Sequence, residues 1–127
     1  MSKYRILVVD DEEDIRNVSC LLLEKAGCDA VSFDAAQAAL DAMEKESFDL
    51  VLTDMLMPDM DGVELITEVR RRDPEQVIVA MSGGGHAPKE SYLQIAKLYG
   101  VQAVLPKPFN REILINALVG CGAPRNG

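Results

Sequence analysis

Five polar residues in this chain stand where apolar runs stop: Asp10 and Asp11 after Ile6-Leu7-Val8-Val9, Asp54 after Leu50-Val51-Leu52-Thr53, Ser82 after Val77-Ile78-Val79-Ala80-Met81, and Lys107 after Ala103-Val104-Leu105-Pro106. Three carboxylates gathered at one place repel one another, a costly arrangement unless a cation joins them. Oxygen ligands with no Cys or His among them suit a hard ion, Mg²⁺ or Mn²⁺, which keeps some waters and leaves room for a phosphate oxygen. A carboxylate facing such an ion, a lysine and a hydroxyl has the parts needed to receive a phosphoryl group. Asp54 would be the in-line nucleophile, Lys107 and the ion would spread the developing charge, and Ser82 would hold a phosphoryl oxygen.

These residues converge only if the elements carrying them converge. Runs that are apolar on both faces suit strands of a parallel sheet covered by helices. Ala30-Val31-Ser32-Phe33 is a weaker run of the same kind. Helical spacing fills the intervals. Glu12 to Ala26 presents Ile15, Val18, Leu22 and Ala26 on one face and closes at Gly27. Ala35 to Glu44 carries Ala36, Ala39, Leu40 and Met43, and Val63 to Arg71 carries Val63, Ile66 and Val69-Arg70. A segment around Glu90 to Tyr99 precedes Gly100, and Arg111 to about Val119 turns Ile113, Ala117 and Leu118 inward. The alternation predicts an α/β doubly wound fold of five βα units with right-handed crossovers. In such sheets ligands bind beyond the carboxyl ends of the strands, where strand order reverses, which is where the five polar residues stand.

The motifs Val8-Val9-Asp10-Asp11-Glu12, Thr53-Asp54-Met55-Leu56-Met57-Pro58-Asp59-Met60-Asp61-Gly62, Met81-Ser82-Gly83 and Pro106-Lys107-Pro108-Phe109 resemble the response-regulator receiver family of two-component signalling. The resemblance runs from about residue 4 to about residue 120. It implies a flavodoxin-like (βα)5 fold whose parallel sheet has the order 2-1-3-4-5. It also implies that Asp54 is the phospho-acceptor, that Asp10 and Asp11 hold Mg²⁺ directly or through water, and that Leu56 offers its backbone carbonyl as a further metal ligand. Ser82 matches the family's switch hydroxyl and Lys107 the lysine that pairs with the phosphoryl group, with a cis bond between Lys107 and Pro108. The implied donor is a phosphohistidine on a sensor kinase or phosphotransfer protein. Phosphorylation would bias a downstream partner-binding face built from the fourth helix, fifth strand and fifth helix. The chain would thus be a timed phosphorelay switch that catalyses only its own phosphorylation and dephosphorylation.

Two stretches depart from the family pattern. Val104 stands three residues before Lys107, where the family usually has an aromatic switch residue, so Ser82 would move without a large ring rotating. Tyr99 and Tyr92 read as helix packing. Gly83-Gly84-Gly85-His86-Ala87-Pro88 is long and glycine-rich, suiting either a mobile cover for the phosphate or a surface loop. His86, the only histidine, reads as an exposed loop residue.

Composition fits this reading. With 127 residues the chain suits one domain, residues 1–121, followed by a tail or linker start at 122–127. At that length folding buries roughly two-thirds of the unfolded surface, so no disulfide or structural metal is required. A net charge of −8 argues against a nucleic-acid surface or binding to anionic membranes. Cys20, Cys28 and Cys121 are odd in number, lack C-x-x-C spacing and read as reduced thiols. Without a spanning apolar run or a signal peptide, the expected location is the cytoplasm.

Other polar residues have plain structural readings. Asp59 and Asp61 set a turn before Gly62, Met55, Met57 and Met60 pack, and Arg70-Arg71-Arg72 is a solvated helix end. Glu12 and Glu13 could neighbour the metal, but a place in a first helical turn, where acids are favoured, is sufficient explanation. A haloacid-dehalogenase-type hydrolase would need a second Asp two residues after the nucleophile, where Leu56 stands. A degenerate receiver acting only as a binding module would not keep all five polar residues.

Overall fold

The computed structural model describes residues 3–55, 62–82, 94, 97, 98, 100–107 and 109–123. Five strands, β1 (Arg5–Val9), β2 (Asp29–Phe33), β3 (Leu50–Asp54), β4 (Val77–Ser82) and β5 (Ala103–Pro106), form one sheet in the order β2-β1-β3-β4-β5, every pair parallel. Both the flavodoxin-like order and the α/β class expected from the sequence are present. Among the described residues the helices are α1 (Glu13–Lys25), α2 (Ala36–Lys45), α3 (Gly62–Arg72) and α4 (Arg111–Gly120). Gln94, Lys97 and Leu98, from the segment expected around Glu90 to Tyr99, are helical; the rest of it lies outside the described residues.

Alternation along the strands builds two cores, because successive side chains leave opposite faces of a sheet. Leu7 and Val9 of β1, Val51 of β3, and Ile78 and Ala80 of β4 pack on one face with Ala36, Ala39 and Leu40 of α2 and Leu65, Ile66 and Val69 of α3. Ile6 and Val8, Leu50 and Leu52, Val79 and Met81, and Leu105 pack on the other with Leu23 of α1 and Leu114 and Leu118 of α4. A strand buried on both faces needs apolar residues at every position, which is why these runs carry no polar alternation.

The helix faces differ from the sequence expectation in two places. In α1 the buried residues are Ser19 and Leu23, while Val18 is 50% exposed. In α4 Leu114 is fully buried and Ile113 is 44% exposed. Each error concerns one position, since Ile15, Leu22 and Ala26 on the first face and Ala117 and Leu118 on the last turn inward as expected. Ile113-Leu114-Ile115 offers apolar residues at adjacent positions, and only docking onto Leu105 and Met81 selects Leu114. Leu114→Ala is therefore expected to destabilise the fold by about 2–5 kcal/mol and Ile113→Ala by less than about 1 kcal/mol, as read from urea midpoints. Equal losses would overturn this assignment.

Helix ends are closed by glycine geometry. After α1, Gly27 takes φ +89 and donates to the Glu24 carbonyl, while the Cys28 N–H reaches the Leu23 carbonyl. After α4, Gly122 takes φ +105 and donates to Val119, while the Ala123 N–H reaches Leu118. Both are Schellman caps, in which the left-handed residue frees two amides to satisfy the last carbonyls. Ala123 is buried in the α1/α4-side core, so Gly122 and Ala123, assigned by composition to the tail, close the last helix. Residues 124–127 lie outside the described residues.

The three arginines at the end of α3 have unequal fates. Arg71 and Arg72 pair with Glu68, and Arg72 also reaches Glu44 of α2. Arg70 is instead half-buried and donates to the Gln76 carbonyl, to the Gly100 carbonyl at 2.8 Å and to Gln102 Oε1 at 3.3 Å. It ties α3 to the turns that open β4 and β5, and so departs from the solvated helix end expected.

Candidate phosphoryl-acceptor site

Strand parity places three of the expected residues together. Asp10 continues the row of Ile6 and Val8, Asp54 that of Leu50 and Leu52, and Lys107 that of Leu105, all on the α1/α4 side. Ser82 continues the row of Ile78 and Ala80 on the other side. The Lys107 N–H donates to the Ser82 carbonyl at 2.7 Å, so the lysine is tied through its main chain to the end of β4.

Asp10 is fully buried. Its N–H donates to the Phe33 carbonyl at 3.2 Å, its own carbonyl accepts from Arg16 Nη1 at 2.9 Å, and its Oδ1 accepts the Glu12 N–H at 2.9 Å. Its other oxygen, Oδ2, lies 2.8 Å from Lys107 Nζ. The same ammonium is 3.3 Å from Glu12 Oε1 and 3.6 Å from Asp54 Oδ2. Asp54 and Ser82 are both buried, and the Met55 N–H just past Asp54 is held by the Met81 carbonyl at 3.0 Å. Burial works to lower the pKa of Lys107, but the hydrogen bond to Asp10, the charges of Asp54 and Asp10 and the hydrogen bond to Glu12 outweigh it and raise the pKa above its ordinary value. Lys107 is therefore held charged amid the carboxylates.

Carboxylate oxygens of Asp10, Asp11 and Glu12 lie within 4.8 Å of one another, and Asp11 and Glu12 are exposed. This all-oxygen donor set, open to solvent on one side, suits Mg²⁺, which binds through a few carboxylates and retains waters. Sequence reasoning assigned Glu12 to helix-dipole compensation. The structure turns its side chain to Lys107 instead, a pairing across 95 positions of sequence that no local signal announces. Arg16, which secures the Asp10 carbonyl, was also absent from the expected site. Leu56, Met57, Asp59, Met60, Asp61, the Gly83–Pro88 segment with His86, Tyr92, Tyr99 and Pro108 lie outside the described residues. Met55 is buried in the α2/α3-side core, and Val104 packs partly buried against the same core.

Comparison with known proteins decides the family, since the model of the response regulator receiver domain matches residues 6–119. The chain belongs to the response regulator receiver family. The receiver chain is 34% identical over 122 residues to the response regulator receiver protein CpdR of Brucella abortus, covering 90% of this chain and 92% of that protein. It is 36% identical over 113 residues to the transcriptional regulatory protein FixJ of Bradyrhizobium diazoefficiens, covering 89% of this chain and 54% of FixJ. The receiver therefore spans nearly all of one relative and about half of the other. Among solved structures, the chemotaxis response regulator CheY4 of Vibrio cholerae superposes with a TM-score of 0.84 at 29% identity, covering 94% of this chain and 99% of CheY4. The receiver is thus a signalling domain of two-component systems, a family that generally binds Mg²⁺. Among its described residues no helix is long and apolar enough to cross a membrane.

Proposed function

We propose that this receiver accepts a phosphoryl group on Asp54 from a phosphohistidine of a sensor kinase or phosphotransfer protein, in a Mg²⁺-dependent reaction. The observation that carries this reading is the position of Lys107 Nζ, 3.6 Å from Asp54 Oδ2 and 2.8 Å from Asp10 Oδ2, at the carboxyl edge of the sheet. One Asp54 oxygen attacks phosphorus in line. The P–O bond forms as the P–N bond to the donor imidazole breaks, and the imidazole leaves with the bonding electrons. Asp10 and Asp11, with Asp54 and the Leu56 carbonyl, would hold Mg²⁺, which supplies charge neutralisation at the phosphoryl oxygens when bound. Lys107 provides the fixed positive charge on the other side, and the Ser82 hydroxyl receives a phosphoryl oxygen.

The phosphoryl group, carrying about −1.5 to −2 where the carboxylate carried a single charge, draws Lys107 and Ser82 toward Asp54. Because the two residues are joined through the Ser82 carbonyl and the Lys107 N–H, the ends of β4 and β5 move together. That movement reaches the partner face formed by the segment around Glu90 to Tyr99, β5 and α4. The domain works in the cytoplasm, without nucleic acid or membrane, and its only chemistry is on itself. Incubation with phosphoramidate and Mg²⁺ should add one phosphoryl mass to the intact chain, and a chelator should prevent it. An unmodified chain after prolonged exposure would sink the proposal.

A further inference from the structure

We propose that Glu12 is a positioning residue that holds Lys107 in its resting place and so acts as a brake on phosphoryl uptake; the inference rests on the Asp54 reading above. The ammonium of Lys107 divides its contacts among three carboxylates, with Asp10 nearest, Glu12 next at 3.3 Å and Asp54 farthest at 3.6 Å. To meet a phosphoryl group on Asp54 it must give up part of the first two contacts.

Glu12 is built to oppose that step. It occupies the cap position before α1, yet its side chain makes no cap hydrogen bond and crosses to the lysine instead. Its N–H is anchored to Asp10 Oδ1, so the residue is fixed by main chain and side chain to the other members of the group. The Glu12 side chain is 62% exposed while that of Lys107 is 7% exposed, so the pair can open toward water at small cost and the rest of the fold does not depend on it. A contact present with Lys107 at rest and lost when it engages the phosphoryl group stabilises only the resting state, and its removal lowers the barrier to engagement. Glu12 also adds negative charge beside Asp10 and Asp11, which favours a divalent cation.

The two effects have opposite signs in Glu12→Gln. Mg²⁺ affinity, read by NMR shift titration without any phosphodonor, is expected to weaken by about two- to five-fold, the range of a partly exposed ion pair. The rate of phosphoryl uptake from phosphoramidate at saturating Mg²⁺ is expected to rise by a similar factor. General damage to the site would lower both, and an inert surface residue would change neither; either result overturns the proposal. Should the wild type take up no phosphoryl group at all, the Asp54 reading fails by itself. The positioning role is then decided by the Lys107 side-chain NMR resonance without metal, which moves in Glu12→Gln if the contact holds and stays in place if it does not.

Discussion

Asp54→Asn is expected to take up no phosphoryl group from phosphoramidate and Mg²⁺, as judged by intact mass, under conditions that modify the wild type. An amide oxygen is a poor nucleophile, and attack through it yields no stable acyl phosphate. The variant should nevertheless fold. Asp54 stands at the end of a strand buried on both sides, with its neighbour Met55 held by the Met81 carbonyl, and neither feature needs the carboxylate. Replacing one carboxylate of a crowded mouth with a neutral isostere also relieves repulsion from Asp10. Its urea midpoint is therefore expected to stay within about 1 kcal/mol of the wild type. Modification of this variant at the wild-type rate would place the acceptor elsewhere.

The second large effect is expected in Lys107→Ala, and it separates acceptance from signalling. The nucleophile and the acidic group remain, so the variant should still gain phosphoryl mass, more slowly. Its movement of β5 should be weakened, because the direct pull of the ammonium is gone and only Ser82, bonded through its carbonyl to the N–H at position 107, still joins the phosphoryl group to that strand. Amide NMR shifts on phosphorylation would spread into β5 and α4 in the wild type and be smaller there in the variant. The variant also removes the ammonium from Asp10, which is fully buried. Truncating one partner of a buried pair is costly, and here the open side of the mouth keeps the loss to about 2–3 kcal/mol. Mg²⁺ should recover part of that loss, since it supplies the missing positive charge. Normal propagation of shifts into β5 would overturn the role assigned to Lys107.

The strands were legible in the sequence for a physical reason. A central parallel strand must be apolar at every position, and the runs at Ile6, Leu50 and Val77 satisfy that before any neighbour is known. Helices were legible as elements but not always as faces. Ile113 sits beside Leu114 and Ile115, of similar polarity, whereas Val18 gives way to its polar neighbour Ser19, and the choice of which turns inward belongs to packing. Asp10, Asp54 and Lys107 could be grouped because each marks the end of a strand. Glu12, Arg16 and Arg70 could not, because what they touch depends on where a long side chain lands once distant elements have docked. The three adjacent arginines show this well. Identical in sequence, they divide into two surface ion-pairing residues and one clamp on Gly100 and Gln102.

The strand order has a mechanical consequence. β3 has hydrogen-bonded neighbours on both sides, β1 and β4, whereas β5 closes the sheet and has β4 alone. Asp54, the proposed acceptor, is thus mounted on the anchored middle of the sheet and Lys107 on its margin. Backbone amides of β3 would exchange with solvent only on global unfolding, and those near the end of β5 through smaller openings. Arg70 holds the beginning of β5 through Gly100 and Gln102, while the other end is held in the sheet by β4 alone, through the Lys107 N–H on the Ser82 carbonyl. A pull on Lys107 would then bend β5 about the end that Arg70 holds, and the middle strand that carries Asp54 would not be deformed by it.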